Sequence, residues 1–375
     1  METSLFSYPT PFTPPTTEED ELSFLRLARS RRVGATTFHR LLKDHGSAQA
    51  ALDALPEIAR AAGSSDYIPC PIALAQTELA AGRRAGARLL LPGGPGYPAD
   101  LLAFADAPPL LWALGKVDLL TRPRVAVVGA RNASSLGLRM AQKLAEEMGR
   151  AGFAVVSGLA RGIDAAAHRA ALPTGTIAVM AGGIDVIYPT ENTELARRIA
   201  AEGLRLSELP PGTEPQARHF PQRNRIIAAL SRATLVVEAA ARSGSLLTAR
   251  MALDYGREVM AVPGHPMDAR ASGCNMLIRD GATLLRGAED VLEAMGIAPL
   301  PRAEPAPAPI PAPPPKPALA GLRAKLLSLL GPAPTPEDTV IRDLGIDAAT
   351  LSRELVGLEI EGEVTRHPGG LLSRG

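Results

Sequence analysis

The spacing of apolar residues changes character at two places along the chain. Up to about Ala85, the segments "ELSFLRLARS", "TTFHRLLKDHG", "SAQAALDAL" and "ALAQTELAAGRRAG" repeat apolar residues every three or four positions, with Gly34 and Gly46 as punctuation. This predicts a small all-helical domain over 21–85. Within it, "RRVGATTFHRLLKDHG" reads as helix, a turn containing Gly34, then helix, which fits a helix-hairpin-helix or a SAM-like bundle. In the first, the turn and the next helix's N-terminus face a phosphate; in the second, the turn only packs.

From Arg88 the apolar residues run together instead. "ARLLLP", "RVAVVGA" (124–130), "FAVVSG" (153–158), "TIAVMAGG" (176–183), "LRLSEL" (204–209), "TLVVEAA" (234–240) and "EVMAVPG" (258–264) are short, β-branched and separated by helix-length segments. Strands buried on both faces need such runs. The expectation for 86–296 is an α/β fold, an extended Rossmann-like, doubly wound, mostly parallel sheet whose ligand lies at the carboxyl ends of the strands.

The flanks differ in composition. Residues 1–20 are rich in Pro and Thr without period and read as a disordered tail, and 297–317 are a Pro/Ala linker that favours extended conformation. In 318–375, three helical segments, the last with Asp347 at its N-cap position, precede a Gly-tipped hairpin; the order predicts a winged helix.

Composition adds little for the whole chain and more for its parts. Of 375 residues, 46% are hydrophobic and 21% charged, ordinary for a globular protein, and the net charge is +1. No apolar run approaches the length of a membrane span and the N-terminus lacks a secretion signal, so a cytoplasmic protein without a membrane partner is expected. Cys70 and Cys274 stand far apart with no Cys/His cluster, which predicts reduced thiols and no metal site. In 121–296 basic residues outnumber acidic ones and all but Lys143 are arginine, whereas 318–375 has 6 basic against 8 acidic residues. The sheet, rather than the winged helix, is therefore the expected footprint for a polyanion.

The strand ends carry the candidate chemistry. "VAVVGARNASSLG" lacks the GxGxxG spacing of dinucleotide folds, and neither a Walker loop nor a GxSxG elbow occurs. No cofactor is expected. "PGGPGYPAD" (92–100) is read as an ordinary loop. "VVSGLARGIDAAAHRAAL" sets Ser157, Arg161, Asp164 and His168 after a strand, the residue types of an active site. Asp164 and His168 are four apart on one helix face, placed to lock together, which leaves Ser157, Gly158, Arg161 and Gly162 as an anion cradle. Arg131 after Gly129, then Arg223, Asn224 and Arg225, then Ser243, Gly244 and Ser245 at a helix start, repeat the theme on three other strand ends. No clear nucleophile and base pairing accompanies them, so the expectation is a site that holds a polyphosphate without attacking it, with no catalytic residues. The alternative is a nucleotide or nucleoside-phosphate hydrolase with Asp164 or Glu238 as general base.

"VAVVGAR", "VVSGLARGIDAAAHRAAL", "IAVMAGGIDVIYPTEN", "SELPPGTEP", "HFPQRNRIIAALS", "VVEAAARSGSLLTARMAL", "VMAVPG" and "SGCNMLIRDGATLL" stand in an order that resembles the DprA/Smf family of bacterial DNA-processing proteins over about 88–290. The resemblance implies a homodimer that binds and protects incoming single-stranded DNA during natural transformation and loads RecA, overcoming single-strand-binding protein. It also implies a DNA contact at Arg131 and a dimer contact near Ile278 and Leu284. One departure stands out: many relatives carry a lysine after the Tyr-Pro pair, where this chain has Thr190-Glu191. With only thirteen Phe, Tyr and Trp (7, 5 and 1), phosphate contacts should dominate over base stacking.

Overall fold

The computed structural model describes residues 12–297 and 321–375. Most of the tail and most of the Pro/Ala linker inferred from composition lie outside these residues. Four helices open the described chain: α1 (Glu18–Arg29), α2 (Ala35–His45), α3 (Ala48–Ala61) and α4 (Ile72–Arg84). Thr17 and Asp20 close a reciprocal capping box at the start of α1, with Asp20 N donating to Thr17 Oγ1 (3.1 Å) and Thr17 N to Asp20 Oδ2 (2.9 Å). The apolar stripes meet at Phe24, Leu25, Phe38, Leu42 and Leu52, all buried. Residues 12–20 differ from the expected tail: the Phe12 and Phe24 rings lie 6.2 Å apart and Thr13 N donates to Gly46 O at 2.8 Å.

A nine-stranded sheet follows. Its elements are β1 (Arg88–Leu90), β2 (Leu111–Gly115), β3 (Arg124–Gly129), α5 (Ser135–Arg150), β4 (Ala154–Ser157), α6 (Ile163–Ala171), β5 (Thr176–Val179) and α7 (Thr193–Glu202). They continue with β6 (Leu204–Ser207), α8 (His219–Leu230), β7 (Ala233–Val237), α9 (Gly244–Asp254), β8 (Glu258–Ala261), α10 (Ser272–Arg279), β9 (Thr283–Leu284) and α11 (Ala288–Ala294). The strand order is β1-β2-β6-β5-β4-β3-β7-β8-β9. From β6 to β9 every pair is parallel; β2 is antiparallel to β6, and β1 to β2. The apolar runs located seven of these strands. β2 is a continuous apolar run that periodicity cannot tell from helix, and β9 is two residues long.

Both faces of the sheet are covered, as parallel strands require. Along β3, Val125 and Val127 join the core under α5 and α6, while Ala126 and Val128 join the core under α8 and α9. The chain runs from β3 outward to β6 and returns to β7 on the other flank of β3. The switch point, where helices leave in opposite directions and a crevice opens, therefore lies between β3 and β7.

After the undescribed stretch come α12 (Leu322–Leu329), β10 (Thr335–Pro336), α13 (Glu337–Leu344), α14 (Ala348–Ile360), β11 (Val364–His367) and β12 (Leu371–Arg374). Asp347 caps α14 by accepting from Thr350 N at 2.7 Å. The β11–β12 hairpin turns through Gly369 and Gly370, both at positive φ, with β10 on the other side of β12. This is the winged helix the element order predicted.

The helical N-terminal region is keyed to the sheet by one carboxylate. Glu78 accepts from Arg29 (2.9 and 2.8 Å) and from Trp112 Nε1 on β2 (3.1 Å), and Arg29 also donates to Glu208 O (3.0 Å). The Trp112 ring lies against the backbone of α4 at Gly82, where a Cβ would fall on the ring. Gly82→Ala is expected to lower stability by about 1–3 kcal/mol. Trp112 is the chain's single tryptophan, so its emission should change in step; an unaltered unfolding midpoint would refute the contact's importance.

Candidate functional site

Four strand ends and two helix starts surround a cleft of about 1070 Å³ at the β3/β7 switch point. Its lining includes Gly129, Arg131 and Asn132 after β3, Ala160 and Asp164 beyond β4, Phe220, Arg223 and Asn224 on α8, and Arg242, Ser243, Gly244 and Ser245 at the start of α9. A shallow extension toward Arg161, Gly158 and Pro189 shares Arg131, Tyr188, Phe220 and Arg223 with it.

The β4–α6 loop is held from beneath. Asp164 accepts from Gly158 N (3.0 Å) and Ala160 N (3.3 Å), while His168 Nε2 accepts from Leu159 N (3.3 Å). Because Nε2 is an acceptor, the His168 proton sits on Nδ1, which donates to Thr176 Oγ1 (2.7 Å). Asp164 and His168 thus brace the loop separately and do not bond each other, which corrects the sequence expectation. Ser157 is buried and its hydroxyl donates to Val127 O (2.6 Å), so it faces the sheet interior, not the cleft. The amides of Gly158, Leu159 and Ala160 are thus already used by Asp164 and His168. Gly162, at φ 70, lets the loop pass Ala130 O and Arg131 O, where a Cβ would collide.

Arg223 is the second support. Its buried guanidinium donates to Val179 O (2.7 Å) and Gly158 O, joining the ends of β5 and β4, and its Nε donates to Asn224 Oδ1 (3.2 Å). A Cβ on Gly158 would fall on this guanidinium. Burial holds the Arg223 pKa down to about 10, and burial likewise pushes Asp164 above the usual carboxylate range. Arg225, two residues on, points to the other side of α8 and meets Glu208 and Asp106 O, away from the cleft. Helical geometry separates the two arginines, since residues two apart do not share a face.

The cations that face the cleft are others. Arg131 is exposed and lies over the Phe220 ring (5.3 Å to its centre), and Tyr188 meets Phe220 edge-on at 5.8 Å. Arg242 is exposed, and among the described residues neither Arg131 nor Arg242 has an ion pair. Arg161 pairs with Glu191 at 3.3 Å, so the acidic residue in the expected lysine's neighbourhood offsets one of the predicted cations. Ser243 caps α9, and its Oγ bonds Ser245 Oγ (2.7 Å), leaving the exposed Gly244 at the helix start. Phe220, Arg242 and Arg270 were missed as site residues. The first was legible as an aromatic beside "PQRNR"; the other two needed the fold.

Two strained residues flank the site. Leu159 (φ 56) and Glu238 (φ 51) sit in the left-handed region just past β4 and β7. Asn192 Nδ2 donates to Leu159 O (2.9 Å), and Glu238 accepts from Ser134 N (2.8 Å) and Ser134 Oγ. Cys70 and Cys274 are buried and free, and among the described residues no group of three His, Cys, Asp or Glu could hold a metal. No described helix is long and apolar enough to cross a membrane.

The family described as DNA recombination-mediator protein A matches residues 88–296, and a DprA-like N-terminal HHH domain and a DprA winged helix domain match 18–81 and 310–370. The DNA processing protein DprA of Streptococcus pneumoniae is 48% identical over 198 residues, which span 52% of this chain and 70% of that protein. Its X-ray structure superposes with a TM-score of 0.57 at 36% identity, covering 74% of this chain and 93% of that one. A structure of DNA processing protein A from Helicobacter pylori, reported for its single-stranded DNA binding mode, gives 0.52 at 30% identity, covering 56% and 95%.

His168 supplies a pH test of the brace. Burial, with Arg223 and Arg169 adding repulsion, lowers its pKa to about 3 from 6.5. Below 6.5 the unfolded chain binds a proton that the fold refuses, so stability falls as the pH drops from 6.5 toward 3. The drop in unfolding midpoint between about pH 7 and about pH 5 should be smaller in His168→Gln than in the parent. Parallel pH profiles would remove His168 as a titrating support.

Proposed function

Since the chain belongs to the DprA/Smf family, whose members are DNA recombination mediators, we propose that it binds single-stranded DNA along the switch-point cleft with little sequence preference. One observation carries this reading: Arg131 and Arg242, without ion pairs among the described residues, line one cleft past the β3 and β7 strand ends, with Arg131 over the Phe220 ring that Tyr188 meets edge-on. Unpaired guanidinium groups suit phosphates, and aromatic faces accept any base. The start of α9 at Gly244 adds a helix N-terminus to the same edge. The related Helicobacter pylori protein, with its reported single-stranded DNA binding mode, supports the same ligand.

In this binding mode the direct contacts fall to Gly129, Arg131, Asn224, Ser243, Gly244 and Ser245, with Arg161 contributing from the extension. Gly158, Gly162 and Arg223 shape the floor, and Ser157 and Arg225 support it from outside the cleft. What favours binding over hydrolysis is the state of the two candidate bases. Asp164 accepts the amides of Gly158 and Ala160 past β4, and Glu238 accepts that of Ser134 at the start of α5, which commits both carboxylates to holding loops.

The finer role we propose is protection of incoming strands and loading of RecA onto them in the presence of single-strand-binding protein during natural transformation, by a cytoplasmic homodimer. The edge strand β9 supports a dimer contact. Leu284 is 43% exposed there, while Ile278 on α10 is half-buried against the core of the sheet. The proposed division into 21–85, 86–296 and 318–375 places the DNA contacts chiefly in the middle unit.

Binding of a labelled oligothymidylate should weaken with salt at a log–log slope of about −0.7 per phosphate held, and Arg131→Ala should make that slope shallower by about 0.7. Phe220→Ala is expected to cost about 1–3 kcal/mol. Binding indifferent to salt and to Arg131 would overturn the proposal, as would equal affinity for duplex. RecA-driven strand exchange on strands precoated with single-strand-binding protein should speed up when the chain is added; no stimulation would sink the loading role alone.

A further inference from the structure

The cleft has a wall that its own sheet does not supply. Ser328, Pro332 and Arg374, all of the winged helix, line it together with Arg131 and Arg242. The winged helix is fastened there by Arg270, which follows β8 on the same edge of the sheet. The Arg270 guanidinium donates to Ser328 O (2.8 Å) and Leu330 O (3.0 Å) at the carboxyl end of α12, where a cation suits the unpaired carbonyls. Asp268 holds Arg270 in place from behind (3.2 Å). The next residue, Gly331, accepts from Arg374 N at 2.8 Å. A single run of contacts thus leads from Arg270 through Leu330 and Gly331 to Arg374. A second tie, Arg139 with Asp343 at 3.9 Å, joins α5 to α13.

The charge on this wall decides between two uses. A cover that blocked a polyanion site would present carboxylates to the cleft arginines. None of the winged helix's carboxylates lines the cleft. Glu337 and Glu359 are engaged by Arg366, Glu361 by Arg323 and Asp343 by Arg139. The group it does present is the exposed Arg374, which has no ion pair or side-chain hydrogen bond among the described residues. The net acidity of residues 318–375 therefore lies on other faces.

The geometry points to the winged helix as the second wall of the single-strand track: Arg270 docks it, and Arg374 adds a phosphate contact facing those of Arg131 and Arg242. This rests on the single-strand binding proposed above and assigns it a residue from a part of the chain whose overall charge argued against DNA. The ligand group is the phosphate backbone, so the contact is blind to sequence.

The full chain binding a labelled oligothymidylate through a salt series tests it. Arg374→Ala should weaken binding about fivefold at about 0.1 M salt and make the log–log slope shallower by about 0.7, and Arg374→Lys should restore most of both. Arg270→Ala, by releasing the winged helix, should produce the same loss, and adding Arg374→Ala to it should do little more because both remove one contact. Parent affinity and slope in Arg374→Ala, with Arg131→Ala still impaired, would overturn the second wall and leave single-strand binding intact. Tighter binding by Arg270→Ala would also overturn it, by making the docked winged helix a cover. Should the parent itself bind without salt dependence, the underlying reading fails instead.

Discussion

A buried guanidinium holds the functional edge of this protein together. Arg223 reaches from α8 into the sheet and takes Gly158 O and Val179 O, carbonyls at the ends of two adjacent parallel strands. Its charge lies beside Asp164, whose carboxylate in turn receives the amides of Gly158 and Ala160. Removing one member would leave the others buried and unpaired, a larger loss than the pair's own worth. Gly158 and Gly162 follow as steric consequences, because a side chain at either would strike the guanidinium or the β3 end.

This arrangement separates two uses of arginine that look alike in sequence. Arg29, Arg124, Arg223, Arg225 and Arg270 are half-buried or buried and tie backbone carbonyls and carboxylates across elements. Arg131, Arg242 and Arg374 are exposed, lie around one cleft and have no ion pair among the described residues. The first group gives rigidity to the strand ends; the second places positive charge without ion pairs around the cleft. Strain at Leu159 and Glu238 is tolerable because the scaffold around them is fixed by the first group.

The outer units attach to this scaffold by similar means on opposite flanks. At the β1–β2 side, Glu78 gathers Arg29 and the Trp112 indole, so the helical region is keyed to antiparallel strands that the parallel core does not require. At the β8 side, Arg270 gathers the end of α12. In both, a planar, multiply donating guanidinium bridges elements distant in sequence, which apolar contact alone would position less specifically.

Element type and layer order were legible from the sequence because hydrophobic period is a local property: seven strands, the helical opening and the winged-helix order all follow from it. The strand ends also announced themselves, since glycine, serine and arginine after an apolar run mark where a parallel sheet meets its ligand. Which of those residues face the cleft was not legible. Ser157 and Arg225 turned inward or away, Asp164 and His168 braced the loop without touching each other, and Arg242, Arg270 and Arg374 entered the cleft from three separate segments. Side-chain direction at a strand end depends on what packs beneath it, and the meeting of β3, α8, α9 and the winged helix depends on the strand order. Sequence spacing carries neither, so the chain's pattern determined what kind of edge this is, and tertiary packing alone decided which charges stand on it.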